Sequence, residues 1–258
     1  MRISYEAMLY REFQPDILLT PYIETYWTAC GYHKEIELHK VLPDGCVDII
    51  FSFGEDAPLG MQPASPNIIG TMTTYLEGSY LNEVDMLGIR FRPAGFTAFT
   101  RMPISEFTDQ RISLPLVETL FDERFYAELP QKPTTGERIR HLDIYFLEKL
   151  KRIFQPESQV VYAVELIRQT KGLLPLTEVA YKSCLSLRHL ERKFKVAVGI
   201  SPKAFSKIVK FEHTVSYLER NKNTSLFDTA IDCGYYDQAH LIKEFKKLSG
   251  DSPSSFKL

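Results

Sequence analysis

Two short stretches of the chain carry long polar side chains with several hydrogen-bond donors and acceptors. The first contains Arg188, Glu191 and Arg192, and the second contains Gln238 and Lys243. Arg and Lys suit guanine, Gln suits adenine, and Glu accepts from cytosine, because each matches the donors and acceptors that these bases present in the major groove. If the two stretches form the outward faces of helices that enter a major groove, as argued below, these five side chains are the predicted base contacts.

Lysines around these five residues could contact the phosphate backbone, which positions a protein on DNA without specifying the sequence. We predict this role for Lys195, Lys203, Lys207, Lys246 and Lys247. The alternative is that these lysines belong only to a solvated helix surface. Two histidines, His189 and His240, could donate to a phosphate or brace the neighbouring turn, and we predict bracing.

The N-terminal half contains four residues with the chemistry of zinc ligands: Cys30, His33, His39 and Cys46. Only the first two have a plausible ligand spacing, because the others lie in separate strand-like stretches with no second pair. We therefore predict no metal site.

Cys46 follows a Pro-Asp-Gly turn, which invites the hypothesis of a thiol sensor or alkyl acceptor. None of its sequence neighbours is a Lys, Arg or His that could lower the pKa of the thiol, and Ile49 and Ile50 indicate burial.

Asp44 and Asp48 are better suited to capping the turn than to acid–base catalysis. The sequence has no Gly-rich phosphate loop and no Ser, His, Asp order typical of a hydrolase, so we predict neither enzymatic activity nor a cofactor.

Trp27, Arg90 and Arg92 are the candidates for a small-molecule site. The two arginines lie on one face of the strand-like stretch LGIRFRP and could bind an anionic ligand. Alternatively, they form ion pairs at the rim of a barrel.

The candidate base contacts lie in a repeated unit. HLERKFKVAVGISP, residues 189–202, and HLIKEFKKLSGDSP, residues 240–253, are identical at seven of fourteen positions. Each follows a short amphipathic helix with a small inner residue, Ala180 or Ala230, and a tight turn. This order predicts a helix-turn-helix in each copy.

Capping residues mark the ends of the second helix in each copy. Ser186 and Asp237 can accept from the free amides at its start. Gly199 and Gly250 lie where a left-handed C-cap belongs, and Gly234 lies in the second turn. The apolar spacing predicts that the second helices bury Leu187, Leu190, Phe194 and Val198 in the first copy and Leu241, Phe245 and Leu248 in the second.

Residues 202–221 connect the copies and predict one continuous helix. Its apolar face consists of Phe205, Ile208, Val209, Val215 and Leu218. Twenty helical residues span roughly 30 Å, close to the roughly 34 Å between successive major-groove segments on one side of B-DNA. The spacing therefore suits one chain that reads two turns of a duplex.

Residues 160–258 resemble the DNA-binding domain of AraC/XylS-type bacterial transcription regulators. The signature of that family is matched by Ala230, Gly234, Tyr235, Asp237, Phe245, Lys246, Gly250, Pro253 and Phe256. Lys243 departs from it, since the family favours Arg there. The resemblance implies a transcription regulator with double-stranded DNA as partner, and it admits RNA polymerase and a second copy of the chain as protein partners.

Residues 1–125 are rich in β-branched and aromatic residues broken by Pro and Gly, which predicts an antiparallel sheet folded as a barrel or sandwich. YIETYW, LPDGCVDIIFSF and LGIRFRPAGFTAF resemble the cupin-like sensor domains of an uncharacterised subgroup. That resemblance implies a β-barrel that binds a small effector, mediates dimerisation, or both. We predict an α+β chain of two domains, a cupin-like barrel with flanking helices at 1–155 and an all-α double helix-turn-helix domain at 156–258.

The charge distribution agrees with this division. Residues 1–150 carry 13 Lys and Arg against 22 Asp and Glu, a net charge of −9, and residues 151–258 carry 18 against 11, a net charge of +7. A basic C-terminal unit suits a polyanionic partner. The absence of a signal peptide, of a long apolar segment and of paired cysteines predicts a cytoplasmic protein. The alternative function is a barrel enzyme or cysteine alkyl acceptor tethered to a DNA-binding module.

Overall fold

The computed structural model describes residues 8–54, 66–113, 122–152 and 154–256. It confirms the predicted two-domain α+β architecture, in which an antiparallel sheet with flanking helices precedes a helical domain. None of the described helices is long and apolar enough to cross a membrane.

A six-stranded antiparallel sheet forms the N-terminal domain, with the strand order β1-β2-β5-β3-β4-β6. The strands are β1 (Met8–Phe13), β2 (Ile23–Val41), β3 (Val47–Ser52), β4 (Asn67–Ile69), β5 (Leu76–Phe91) and β6 (Arg111–Ser113). The long strands β2 and β5 pair from Ile23 with Phe91 to Val41 with Leu76. Within the described residues, β1 and β6 are the edges of the sheet.

The sheet separates two hydrophobic cores, because successive residues of a strand point to opposite faces. On β3, Ile49 and Phe51 belong to one core and Ile50 to the other. Helices α1 (Glu123–Glu128) and α2 (Thr135–Leu150) cover the first core. The buried residues of the second core all come from β1 to β5, so the opposite face of the sheet has a core of its own.

A polar capping residue precedes helix α2. Its first turn is fixed by a capping box, in which the Thr134 hydroxyl accepts from the Glu137 amide at 3.3 Å and the Glu137 carboxylate accepts from the Thr134 amide at 3.2 Å. The capping box therefore fixes the start of α2 at Thr135.

A short 3-10 helix, Pro253–Phe256, ends the described part of the C-terminal domain, and six α-helices precede it. They are α3 (Ser158–Gln169), α4 (Leu176–Lys182), α5 (Leu187–Val198), α6 (Pro202–Arg220), α7 (Leu226–Asp232) and α8 (Gln238–Ser249). Their buried side chains form a single core, to which Ala94 of the N-terminal domain also belongs. The two copies of the repeated unit are therefore parts of one domain.

Leu187 is a correction to the predicted core. It is 38% exposed, whereas the other predicted core positions of the two second helices are buried. Leu187 is the first residue of α5, and a helical side chain leans towards the N-terminus of its helix. At this position the lean directs it past the helix start, away from the core.

Candidate nucleic-acid interface

The two helix-turn-helix units share a turn but differ in the residue at its centre. The backbone there is left-handed in both, with φ of 55° at Cys184 and 72° at Gly234. The residue that follows donates its amide to the carbonyl of Ala180 at 2.9 Å in the first unit and of Ala230 at 2.8 Å in the second. Both alanines are buried, so the paired helices approach closely.

The two second helices, α5 and α8, have matching caps. The side chain of Ser186 accepts from the amide three residues later at 3.3 Å, and that of Asp237 does the same at 2.7 Å. Left-handed glycines end both helices, Gly199 with φ of 92° and Gly250 with φ of 77°. These caps fix where each helix begins and ends.

The second unit contains one more residue between turn and helix than the first. This residue, Tyr236, is 92% exposed, and its amide donates to Nδ1 of His240 at 3.3 Å. The His240 ring also lies edge-on to Tyr235, with 5.7 Å between ring centroids. His240 therefore braces the turn, whereas His189 in the first unit is exposed.

All five predicted base-contacting side chains are exposed on α5 and α8. They are Arg188, Glu191 and Arg192 on α5 and Gln238 and Lys243 on α8. Within the described part of the chain, none of them forms an ion pair or a side-chain hydrogen bond. Their polar groups are therefore available to a partner.

The predicted phosphate contacts divide into two groups. Lys195, Lys203, Lys246 and Lys247 are exposed. Lys207 instead places Nζ 2.8 Å from a carboxylate oxygen of Glu244, which joins α6 to α8. Burial opposes ionisation of Glu244, but the lysine holds its pKa below the usual value. Lys207 therefore contributes to the geometry of the domain as well as to its charge.

Helix α6 connects the two units without a break, and its 19 residues span about 28 Å. Its contacts with each second helix include one pair of aromatic rings. Phe205 lies 5.4 Å from Phe194 of α5, and Phe211 lies 4.8 Å from Phe245 of α8, measured between ring centroids. Phe194 and Phe245 occupy the same position of the repeat, so α6 packs against α5 and α8 through equivalent side chains of those helices.

Two of the three candidate ligand-binding residues meet in the N-terminal domain. The buried Trp27 donates from Nε1 to Asp48 Oδ1 at 3.0 Å. Nε of Arg90 lies 3.3 Å from the same oxygen and 3.4 Å from Asp44 Oδ2. Burial opposes ionisation of Asp44, but Arg90 and the backbone amide of Cys46 hold its pKa below the usual value.

Trp27, Asp44 and Asp48 border a cavity of about 20 Å³, which has room for about one water molecule. Arg90 has two carboxylates beside it, so the ion-pair alternative describes it better than an anion site does. Arg92 lies elsewhere, because its Nε donates to the backbone carbonyl of Thr20 at 2.7 Å.

The four residues with zinc-ligand chemistry do not form one site. Cys30 contacts Asp85 at 3.5 Å, whereas the rings of His33 and His39 lie 5.8 Å apart beside Tyr80. Across the residues that the structure describes, no three metal-ligating side chains cluster.

Cys46 has a cationic neighbour that sequence reasoning missed. Arg168 of α3 lies 122 positions away in the chain, yet its guanidinium is 3.8 Å from the sulfur and 3.2 Å from Glu24. The Glu24 carboxylate is itself 3.4 Å from the sulfur. Burial, together with Asp44 and Glu24, raises the pKa of the thiol well above its usual value despite the arginine. No local signal in the sequence indicates this contact.

Two sequence families match the chain. Residues 164–258 match a family described as a helix-turn-helix domain. Residues 11–113 match a family described as a domain of unknown function, DUF6597. A comparison with curated proteins found no match. The C-terminal match agrees with the paired helices and caps described above.

Several solved structures align with the chain at low similarity. ToxT from Vibrio cholerae is 7% identical, with a TM-score of 0.49 and 98% of each chain covered. Unsaturated fatty acid-bound ToxT from strain SCE256 is 9% identical, with a TM-score of 0.41 and coverage of 100% of this chain and 97% of that one. The AraC-like transcriptional activator CuxR is 9% identical, with a TM-score of 0.27 and coverage of 83% and 88%. Similarities this low do not bear on function.

Proposed function

We propose that this DNA-binding transcription regulator, whose C-terminal domain is an AraC-type helix-turn-helix domain, reads two adjacent major-groove segments of one duplex. The observation that carries the proposal is the unbroken α6, which holds α5 and α8 through the equivalent residues Phe194 and Phe245. Its length of about 28 Å is close to the roughly 34 Å repeat of the groove. We place the start of this domain near residue 156.

In this proposal, the exposed side chains at the start of α5 and α8 contact bases, namely Arg188, Glu191, Arg192, Gln238 and Lys243. Lys195, Lys203, Lys246 and Lys247 contact phosphates, and Lys207 does so only if its pair with Glu244 opens. Base contacts set sequence preference, whereas phosphate contacts contribute affinity for any duplex.

The test begins with selection of binding sites from random DNA, followed by affinity measurements over a range of salt concentrations. Arg188→Ala is expected to cost roughly 1–3 kcal/mol and to relax base preference at one position. Lys246→Ala is expected to weaken all sequences alike and to reduce the salt slope by about 1. An Arg188→Ala variant with unchanged affinity and preference would show that α5 does not enter the groove.

The N-terminal domain is the proposed effector-binding domain, and the cavity beside Trp27, which has room for about one water molecule, must widen to admit an effector. An effector that prefers one arrangement of the two domains changes DNA affinity through linkage. Because Trp27 is the single tryptophan of the chain, its fluorescence reports occupancy of the cavity directly. Compounds that change its emission are expected to change DNA affinity, and compounds that change only one of the two contradict the linkage.

We further propose that the chain acts in the cytoplasm as a binding protein without enzymatic activity. Its proposed protein partners are RNA polymerase and a second copy of the chain. The raised pKa of the Cys46 thiol, caused by burial and the nearby carboxylates, supports an unreactive thiol. No mass gain is expected after treatment with a methylating agent, whereas a stoichiometric adduct on Cys46 would favour an alkyl acceptor. Palindromic pairs of selected sites would indicate a dimer.

A further inference from the structure

The C-terminal ends of α5 and α8 both rest on one loop of the N-terminal domain, residues 70–75 between β4 and β5. The Thr71 hydroxyl donates to the carbonyl of Val198, at the end of α5, at 2.6 Å. The Thr74 hydroxyl donates to the carbonyl of Lys247, near the end of α8, at 2.8 Å. Carbonyls in the last turn of a helix lack helical partners. A single loop therefore caps both helices that are proposed to read DNA.

The glycines that end the two helices show how closely the N-terminal domain approaches. A Cβ atom on Gly199 would lie 3.0 Å from the hydroxyl of Thr108, and one on Gly250 would lie 2.6 Å from the ring of Tyr75. Thr108 also donates to the Gly199 carbonyl at 2.7 Å. These contacts hold the helix ends by shape as well as by hydrogen bonds.

The loop itself is braced from below by the segment that precedes β6. Both the amide and the hydroxyl of Thr73 donate to the Asp109 carboxylate, each at 2.7 Å. The Asp109 amide donates to the carbonyl of Thr71 at 3.1 Å. Gly70 packs so tightly on Phe107 that a Cβ atom would lie 1.7 Å from the Phe107 carbonyl oxygen. The loop is thus a fixed part of the domain.

The length of the loop limits the separation of the two helix ends. Thr71 and Thr74 are three residues apart, so their Cα atoms are at most about 11 Å from each other. Each hydroxyl is within hydrogen-bonding distance of its own helix. A spacer this short and this well braced fixes one relative placement of the two C-terminal ends.

We propose that Thr71 and Thr74 are positioning residues that fix the separation and angle of α5 and α8, and thereby the spacing of the two DNA segments that the chain prefers. This inference rests on the proposed reading of two grooves. The other side of the same loop, at Met72, borders the cavity beside Trp27. The same loop therefore contacts the cavity beside Trp27 on one side and the two proposed DNA-contacting helices, α5 and α8, on the other.

The test measures binding of the full chain to selected DNA sites in which the two segments are moved apart or together by one base pair. The wild-type chain is expected to prefer its selected spacing. Thr74→Val keeps the shape of the side chain but removes one hydrogen bond, so this preference is expected to fall roughly 5-fold. Thr71→Val/Thr74→Val should reduce it further. Thr20→Val is the control, because the Thr20 hydroxyl also donates to a backbone carbonyl, that of Ile17 at 2.8 Å, but within the N-terminal domain.

The outcomes separate the inference from the proposed function. If the wild type prefers one spacing and folded Thr74→Val protein keeps the full preference, the positioning role is wrong and two-groove reading stands. Equal wild-type binding at all three spacings also contradicts the positioning role. A wild-type chain that binds no duplex refutes both. Because Thr71 is fully buried, thermal melts accompany every variant, and the single Thr74→Val change decides if the double variant unfolds.

Discussion

The two helix-turn-helix units have the same local fold but different attachments to the rest of the molecule. The end of α5 is enclosed by the N-terminal domain, where residues 197–200 are buried and two adjacent carbonyls accept from Thr71 and Thr108. The end of α8 receives one hydroxyl, from Thr74, and Gly250 there is only half-buried.

The attachment of the second unit also has a different chemistry. Just beyond α8, Asp251 forms an ion pair of 2.8 Å with Lys40 of β2, and both side chains are partly exposed. A partly exposed ion pair contributes little, about 0–1 kcal/mol. The repeated sequence therefore produces two equivalent helix-turn-helix units, whereas the N-terminal domain holds the end of α5 more firmly than the end of α8.

The largest expected effect tests whether the two units share one core. Phe194→Ala and Phe245→Ala each remove a fully buried ring that packs on α6, so each is expected to lower the free energy of unfolding by about 3–5 kcal/mol. Urea unfolding followed by circular dichroism measures the loss.

Leu187→Ala is the matched control on α5, because this leucine is 38% exposed and should cost much less. If one helix-turn-helix unit unfolded in a separate transition in either Phe variant, the two units would have independent cores.

The two turns should respond to substitution with opposite signs. Gly234→Ala places a Cβ atom 2.4 Å from a Leu173 methyl group at a left-handed position, with an expected cost of roughly 1–2 kcal/mol. Cys184→Gly relieves a left-handed non-glycine residue, with an expected gain of up to about 1 kcal/mol. Thermal melts of the two single variants measure both. Destabilisation by both changes would contradict the equivalence of the two turns.

The smallest effect concerns the N-caps. Removal of either cap, by Ser186→Ala or Asp237→Ala, is expected to cost about 1 kcal/mol. Asp237 should cost more, because its hydrogen bond is charge-assisted and shorter, 2.7 Å against 3.3 Å. Urea unfolding measures both, with Ser254→Ala on the exposed C-terminal turn as the control. A larger loss at Ser186 would mean that the enclosure of α5 depends on its cap.

Much of the C-terminal domain could be predicted because its signals are local. The spacing of Leu190, Phe194 and Val198, the caps and the length of α6 depend only on residues close together in the chain, and helices are built from such contacts. The prediction that Leu187 is buried was wrong, because apolar periodicity does not show where the end of a helix extends past the core.

The N-terminal domain was predictable in class but not in contact. Alternation of apolar residues predicts strands, yet it does not tell which strand pairs with which, because paired strands can lie far apart in the chain. The partners of Arg90 and the approach of Arg168 to Cys46 are of this kind, since each joins different elements of the fold.

Local spacing along the chain was sufficient to define two capped helix-turn-helix units on one continuous helix, a basic surface for a polyanion, and the side chains on that surface. How the N-terminal domain holds those units, with Thr71, Thr74 and Thr108 at the ends of α5 and α8, became visible only in the folded molecule. The physical reason is that caps and amphipathic faces follow from local spacing, whereas a hydroxyl and a carbonyl more than ninety residues apart meet only once both domains have packed.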